Sequence, residues 1–244
     1  DSVASRGLGD VYKRQAANST TLVNFSADAA DPEAMRELFA RFGNDLPPLD
    51  GVYVAALAGG AGSLIELDDA EVDAMFRPKV DAISVLHELT VTTPVRRFVL
   101  FSSITGLFGS RWLGHYTAAN SFADAFAFAR RAVGLPATVI DWGLWKSWAD
   151  AQPETASAGL TPMRNETAIA TLPTLLGADA PIRPIVVGAQ WARLAEAYRM
   201  RTSFHIVDDL LGEADHDLSG LPPARPDTVL GEVDSIETGT VEKS

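Results

Sequence analysis

The sequence has no cysteine, only four histidines, no long apolar run and no excess of basic charge. Without cysteine there are no disulfides, thiolate metal sites or cysteine nucleophiles. The absence of a run of about 18 apolar residues excludes a membrane-spanning helix, and no signal-peptide pattern opens the chain. A net charge of −12 argues against a protein that coats nucleic acid. Hydrophobic residues make up 47% of the sequence, which predicts a globular protein. We expect this protein in the cytoplasm.

The two ends of the chain lack the apolar periodicity of folded segments. The stretch DVYKRQ at 10–15 resembles a translated transposon end of the kind used in sequencing libraries, so 1–15 is expected to be a non-native or disordered leader. Residues 212–244 combine eight acidic residues with only Arg225 and Lys243 as basic ones. Because such a segment buries too little apolar surface to offset its ordering entropy, it is predicted to be an acidic, disordered linker.

Between these ends, short apolar runs alternate with helical patterns. Five runs have the nearly continuous hydrophobicity of strands buried on both faces, at 20–26, 51–57, 97–103, 137–142 and 182–188. Helices are predicted between them, near 32–42, 68–90, 116–133, 165–176 and 190–200. The alternation predicts a doubly wound, Rossmann-like α/β fold. In such a fold a parallel sheet has helices on both faces and binds ligands at the carboxyl ends of its strands.

The helix predicted at 68–90 contains a lysine on its apolar side. Asp68 and Glu71 have the spacing of a capping box at its start, and Pro78 is expected to bend it. Lys79 falls on the apolar stripe, where a lone buried ammonium is costly. Lys79 therefore either faces a cleft or snorkels at the rim of the stripe, and taken alone the snorkelling interpretation is the better one.

Hydroxyl and amide side chains follow near the end of a central strand. Ser102 and Ser103 close the run 97–103, where a doubly wound sheet presents ligand-binding groups, although ordinary turn chemistry also explains them. Serine hydrolysis is excluded because no G-x-S-x-G elbow is present. Tyr116 and Asn120 are four residues apart and share one helix face. As a pair they fit either a site or a core tyrosine with a surface asparagine.

Together, Lys79, Ser103, Tyr116 and Asn120 resemble the catalytic tetrad of the ketoreductase domain of modular polyketide synthases, in the short-chain dehydrogenase/reductase superfamily. Their spacings of 24 and 13 residues, from the lysine to the serine and on to the tyrosine, match that pattern. The lysine precedes the serine, and asparagine stands four residues after the tyrosine, as in the polyketide and fatty-acid synthase branch. The matching stretches are RPKVDAISVLHELT (77–90), RRFVLFSSITGLFGS (96–110), HYTAANSFADAFAFARR (115–131), GLPATVIDWGLW (134–145) and VVGAQWARL (186–194).

The resemblance implies reduction of a β-ketoacyl thioester, held on an acyl carrier protein, to a β-hydroxyacyl thioester with hydride from NADPH. Tyr116 would be the general acid, with Lys79 lowering the pKa of its phenol toward working pH. Ser103 would hydrogen-bond the carbonyl oxygen, and Asn120 would orient Lys79 or a bridging water. Neighbouring synthase domains are the expected partners, with no role for nucleic acid or membrane.

The resemblance also implies a set of cofactor-binding residues: Asp28, Ala55, Ala56, Tyr116, Gly143 and Leu144. Asp28 would contact the adenine, although a simple turn residue is an equally good interpretation. Gly143 and Leu144 would meet the nicotinamide amide through their backbones. Trp145 and Trp148 after them would either line a lid over the site or merely pack.

One part of the family pattern is not found in this sequence. The first two strands and the Gly-rich loop that holds the pyrophosphate have no counterpart, and the glycines at 59–62 are interpreted as a rim loop because the helix after them starts too late. We therefore expect residues 16–211 to be the C-terminal, catalytic part of a ketoreductase domain, inactive by itself. The alternatives are a non-catalytic structural half, which should lack the tetrad, and a free-standing short-chain dehydrogenase acting on a small ketone.

Overall fold

The computed structural model describes residues 21, 23–57, 60–151 and 159–211, so the predicted leader 1–15 and linker 212–244 lie outside the described residues. Its main sheet contains four parallel strands in spatial order: β1 (Gly51–Val54), β2 (Arg97–Ser103), β3 (Thr138–Trp142) and β5 (Ile185–Val186). Two short strands, β4 (Leu160–Thr161) and β6 (Gly188–Ala189), form a separate antiparallel pair. The predicted parallel α/β class is confirmed.

Helices connect the strands of the sheet. The α-helices are α1 (Pro32–Phe39), α2 (Asp69–Phe76), α3 (Ala82–Thr92), α4 (Thr105–Phe108), α5 (Gly114–Ala132), α6 (Lys146–Ala151), α7 (Asn165–Ala170), α8 (Leu172–Leu175) and α9 (Trp191–Arg199). A π-helix covers Arg77–Asp81 and a 3₁₀-helix covers Asp208–Leu210. Within the described parts of the chain, none of these helices is long and apolar enough to cross a membrane.

Helices cover both faces of the sheet, as predicted. On one face, β1, β2 and β3 pack against α1, α3 and α5 through a cluster that includes Val52, Phe98, Leu100, Val139, Met35, Ile83 and Ala123. On the other face, Val99 and Ile140 pack with Ala168 of α7 and with the partly buried leucines of α8. Because side chains alternate across a strand, β2 and β3 are apolar on both sides. Full burial of each large apolar side chain is worth roughly 1.5–3 kcal/mol, so these two strands anchor the site built at their ends.

The prediction of a strand at 20–26 is wrong for the residues described there. Residues 21 and 23–26 have no regular structure, and within the described chain β1 pairs only with β2. A strand is stable only when its backbone groups find a ladder partner. Phe25 instead lies under Arg41, whose guanidinium carbon is 4.6 Å from the ring centroid.

The helix predicted at 68–90 is interrupted by a wider turn. The capping box at its start is confirmed: the Glu71 N–H donates to Asp68 over 2.8 Å, and the Asp68 N–H donates to Glu71 over 2.9 Å. Pro78 produces the π-helix Arg77–Asp81 rather than a simple bend, and the N–H of Ala82 reaches back to the carbonyl of Arg77. Proline has no N–H to donate and its ring crowds the preceding turn, so a five-residue turn accommodates it better than an α-turn.

Candidate active site

The four tetrad residues lie at the carboxyl edge of the sheet. Ser103 is the last residue of β2, Tyr116 and Asn120 lie in the first two turns of α5, and Lys79 lies in the π-helix that precedes α3. Parallel strands all end at this edge, and the helices that follow them start there, so residues far apart in sequence meet.

Lys79 is buried, with 4% of its surface exposed. Its Nζ donates to the carbonyl of Phe101 in β2 over 2.8 Å and lies 5.7 Å from the centroid of the Tyr116 ring. Burial lowers the pKa of Lys79 from 10.5 to about 8, and the negative charge of Asp124 partly opposes that fall. The snorkelling interpretation is therefore wrong, because the lysine points inward from the π-helix to the end of β2. A buried amine that titrates near working pH is typical of a functional site.

The two serines at the end of β2 have different neighbours, because successive side chains of a strand point to opposite faces. The hydroxyl of Ser103 accepts a hydrogen bond from the Thr105 N–H over 3.2 Å, and it lies near enough to the Tyr116 phenol to lower the pKa of that group. The hydroxyl of Ser102 donates instead to Asp124 over 2.7 Å. Ser103 is thus the serine whose hydroxyl meets the phenol.

The phenol of Tyr116 is strongly influenced by burial. Burial raises the pKa of Tyr116, and the neighbouring side chains of Ser103 and Asn120 lower it only in part. Lys79 lies beside the ring and bonds to a strand carbonyl. In this structure desolvation outweighs the effect of these neighbours, and the expectation that Lys79 brings the phenol pKa down stays a prediction.

Asn120 is completely buried and bonds within its own helix. Its Nδ2 donates to the backbone carbonyl of Tyr116 over 2.9 Å, while its Oδ1 has no protein partner among the described residues. The amide therefore stabilises the turn that carries the tyrosine, and its expected role of orienting Lys79 or a bridging water stays a prediction. A buried acceptor without a partner is suited to a water or a ligand group.

The backbone positions expected to meet the nicotinamide follow β1 and β3 at the same edge. Ala55 and Ala56 are exposed just beyond β1. The N–H of Gly143 donates to the Val186 carbonyl over 2.8 Å, and a Cβ at 143 would lie 2.8 Å from a methyl carbon of Val187, so the close approach of that chain requires glycine here. The carbonyl of Leu144 accepts from the Met163 N–H. The packing of the chain by itself explains these contacts. The role of Ala55, Ala56, Gly143 and Leu144 in binding the cofactor therefore stays a prediction.

Asp28 has the contacts of a turn residue. Its carboxylate accepts from the Ala30 N–H over 2.8 Å and pairs with Arg77 at 2.9 Å. The Ala30 hydrogen bond, followed by Arg77, holds the pKa of Asp28 below its usual value. The carboxylate thus joins the segment before α1 to the first residue of the π-helix, and the expected adenine contact stays a prediction.

The tryptophans after β3 differ in their contacts. Trp145 packs against Trp142, with ring centroids 4.9 Å apart, while Trp148 in α6 is 40% exposed. Trp145 therefore packs against its neighbour, which is one of the two roles predicted for it from the sequence.

Sequence reasoning missed a buried charge cluster directly beneath the tetrad. Arg183 lies before β5, and its Nη2 is 2.8 Å from Asp124 of α5 and 2.7 Å from Asp141 of β3. Burial, reinforced by the charge of Asp124, raises the pKa of Asp141 to about 7. One signal was available in the sequence, since Asp124 follows Asn120 by four residues and so extends the face of α5 that carries the tyrosine.

A parallel α/β sheet with a serine, a tyrosine and a buried lysine together at its carboxyl edge is typical of an oxidoreductase of the Rossmann-like class. The family model described as KR domain matches residues 6–147, more than half of the chain. The match begins inside the segment 1–15, so the extent of the expected leader stays a prediction. The chain belongs to the KR family, the ketoreductase domains of polyketide synthases, which are nicotinamide-dependent reductases.

Relatives among characterised proteins are much longer than this chain. A phenolphthiocerol/phthiocerol polyketide synthase of Mycobacterium bovis is 56% identical over 208 residues, which is 84% of this chain and 14% of that protein. The corresponding synthase of Mycobacterium tuberculosis H37Rv is 55% identical over 208 residues, with the same coverage. The chain thus spans about a seventh of these relatives.

Solved structures of ketoreductases have the same fold. An A1-type ketoreductase superposes with a TM-score of 0.73 at 29% identity, covering 82% of this chain and 43% of that one. A second solved structure is PlmKR1, the ketoreductase from the first module of phoslactomycin biosynthesis in Streptomyces sp. HK803. It superposes with a TM-score of 0.75 at 25% identity, covering 85% of this chain and 49% of that one. The chain therefore spans less than half of these ketoreductases.

Proposed function

We propose that this site reduces a β-ketoacyl thioester on an acyl carrier protein to a β-hydroxyacyl thioester, using NADPH, within a polyketide synthase whose neighbouring domains supply and receive the acyl chain. The observation that carries the proposal is the meeting of Ser103, Tyr116 and the buried Lys79 at one edge of the sheet, with Nζ of Lys79 5.7 Å from the centroid of the tyrosine ring. Two adjacent hydroxyls suit a carbonyl oxygen that gains negative charge during reduction.

The residues present fit the reacting end of the cofactor. When bound, the nicotinamide supplies the hydride. Ser103 and Tyr116 lie at the edge where a doubly wound sheet binds its ligand, and the unpartnered Oδ1 of Asn120 is an acceptor in the same place. For the pyrophosphate, the described residues include no Gly-rich turn leading directly into a helix N-terminus. We therefore infer that Asp28, Ala55, Ala56, Gly143 and Leu144 are insufficient to hold the whole cofactor without further residues.

The proton transfer follows from the contacts of the chain itself. The Tyr116 hydroxyl donates its proton to the carbonyl oxygen of the substrate as hydride reaches the carbon. Ser103 donates a hydrogen bond to that oxygen and stabilises its developing charge. The ammonium of Lys79, 5.7 Å from the ring centroid, stabilises the phenolate left behind, while Asn120 holds the helical turn that positions the tyrosine.

The test is a single-atom change at the tyrosine. Residues 16–211 are joined to the amino-terminal half of a solved ketoreductase, and NADPH oxidation is followed by absorbance with a β-ketoacyl N-acetylcysteamine thioester. Tyr116→Phe should reduce turnover by about 10²–10⁴, the usual worth of a positioned general acid, with cofactor binding unchanged.

The matched control is Tyr53→Phe, since Tyr53 lies on β1 with 49% of its surface exposed and far in sequence from the tetrad. That variant should keep the full rate. If Tyr116→Phe also keeps the full rate, the catalytic assignment fails and the non-catalytic structural half becomes the better account.

A further inference from the structure

A third polar residue continues the face of α5 that carries Tyr116 and Asn120. Asp124 follows Asn120 by one helical turn, and only 7% of its side chain is exposed. A buried carboxylate is costly unless it is paired and hydrogen-bonded, so its contacts require a physical account. It has no part in the proton transfer described above.

The carboxylate of Asp124 is held from three sides. Its Oδ1 accepts a hydrogen bond from Ser102 over 2.7 Å, and its Oδ2 lies 2.8 Å from Nη2 of Arg183. A Cβ added at Gly106 would lie 2.8 Å from Oδ2, which shows how closely α4 covers this oxygen. Asp124 thus joins the end of β2, one residue before Ser103, to the helix that carries Tyr116.

Titratable groups near Asp124 come from the segment before β5, from β3 and from the π-helix. Arg183, before β5, is shared with Asp141 of β3, which lies 2.7 Å from the same guanidinium nitrogen. Lys79 of the π-helix is the second cation, and the charge of Asp124 raises the pKa of this lysine against the effect of burial. Ser102 contributes its hydroxyl from β2. Two acids, Asp124 and Asp141, and two bases, Arg183 and Lys79, therefore lie on the buried side of the site.

We propose that Asp124 is a positioning residue of this site: through its bond with Ser102 it fixes the end of β2 against α5, and so holds in place the carbonyl of Phe101 that binds the Lys79 ammonium. Its catalytic meaning rests on the proposed function, whereas its effect on Lys79 can be measured without turnover. Asp124 acts through Ser102 and Lys79, and it does not touch the reacting atoms.

The test is the titration of Lys79 in the full chain. The sequence has only four lysines, at 13, 79, 146 and 243, so the ¹³Cε signals of a ¹³C-lysine-labelled sample can be assigned with single Lys→Arg variants. In the parent chain Lys79 should titrate near pH 8. Asp124→Asn keeps the shape and removes the charge, so the Lys79 midpoint should move further down.

Asp141→Asn is the matched control, since it removes a carboxylate from the same cluster without removing the charge that supports Lys79. It should leave the Lys79 midpoint in place. An unchanged midpoint in Asp124→Asn, or an equal fall in both variants, would overturn the proposal. Neither outcome would touch the role of Tyr116, which is tested separately by Tyr116→Phe.

If Asp124→Asn does not fold, Ser102→Ala decides the question. This variant keeps both charges and removes the 2.7 Å bond that orients the carboxylate, together with the longer 3.4 Å bond from the same hydroxyl to the Asn120 carbonyl. A downward shift of the Lys79 midpoint in Ser102→Ala supports positioning through that bond, and an unchanged midpoint refutes it.

Discussion

Replacing Lys79 by methionine should make the folded chain more stable while removing the charge that the site needs. Burial lowers the pKa of Lys79 from 10.5 to about 8. At 1.36 kcal/mol for each pKa unit, the ammonium therefore destabilises the fold by about 3 kcal/mol at pH 7. Methionine fills the same space without this cost, but it loses the bond to the Phe101 carbonyl, worth about 1 kcal/mol. The net expectation is a gain of about 2 kcal/mol.

The sign of the pH dependence provides a second test of the same reasoning. The folded-state pKa of Lys79 lies below its unfolded value, so the unfolded chain binds more protons between pH 8 and 10.5. The destabilisation is fully present below pH 8 and disappears as the pH rises through that window. The advantage of Lys79→Met should therefore shrink from about 2 kcal/mol at pH 7 to nearly nothing at pH 10.

Urea unfolding, monitored through tryptophan fluorescence, measures both the gain in stability and its dependence on pH. With a slope of about 2 kcal/mol per molar urea, the midpoint of Lys79→Met should rise by about 1 M at pH 7. The control is Lys146→Met, because Lys146 is exposed and makes only a surface ion pair with Asp150, so its effect should stay below about 1 kcal/mol. A lower midpoint for Lys79→Met at pH 7 would show that the buried ammonium stabilises the fold, contrary to this reasoning.

Three further predictions concern the hydroxyl pair, the cofactor and the buried acids. In the ketoreductase joined to a solved amino-terminal half, Ser103→Ala should reduce turnover severely and Ser102→Ala mildly, because only Ser103 lies at the Tyr116 phenol. If the NADPH assay shows that Ser102→Ala is the more damaging variant, the register assigned to β2 is wrong. The chain as given should not bind NADPH with useful affinity because no pyrophosphate loop is found in its sequence, and micromolar binding in a cofactor-fluorescence titration would contradict this. Burial raises the pKa of Asp141 to about 7, so its contribution to folding stability is present near pH 4 and is lost as the pH rises to 7. Asp141→Asn should flatten the pH dependence of the urea midpoint between pH 5 and 7, and an unchanged slope would refute the assignment.

Local patterns in the sequence were sufficient for the central strands and for the order of the tetrad. The apolar run 97–103 coincides with β2 because a strand buried on both faces must be apolar throughout. The Asp68 and Glu71 spacing located the start of α2 because a capping box depends only on residues three apart. The spacing of Lys79, Ser103 and Tyr116 led to the ketoreductase family, to which the chain belongs.

Tertiary structure decided what depends on neighbours distant in sequence. Residues 20–26 have the composition of a strand, but strand pairing needs a partner that composition does not provide. Lys79 was better explained alone as a snorkelling residue, and only the π-helix and the carbonyl of Phe101 place it inside. Arg183 and Asp124 are 59 positions apart, and their ion pair exists because β5 packs beside β3, under the helix that carries the tyrosine. The sequence alone thus determined which residues could do the chemistry, while packing determined the charge, burial and orientation with which they do it.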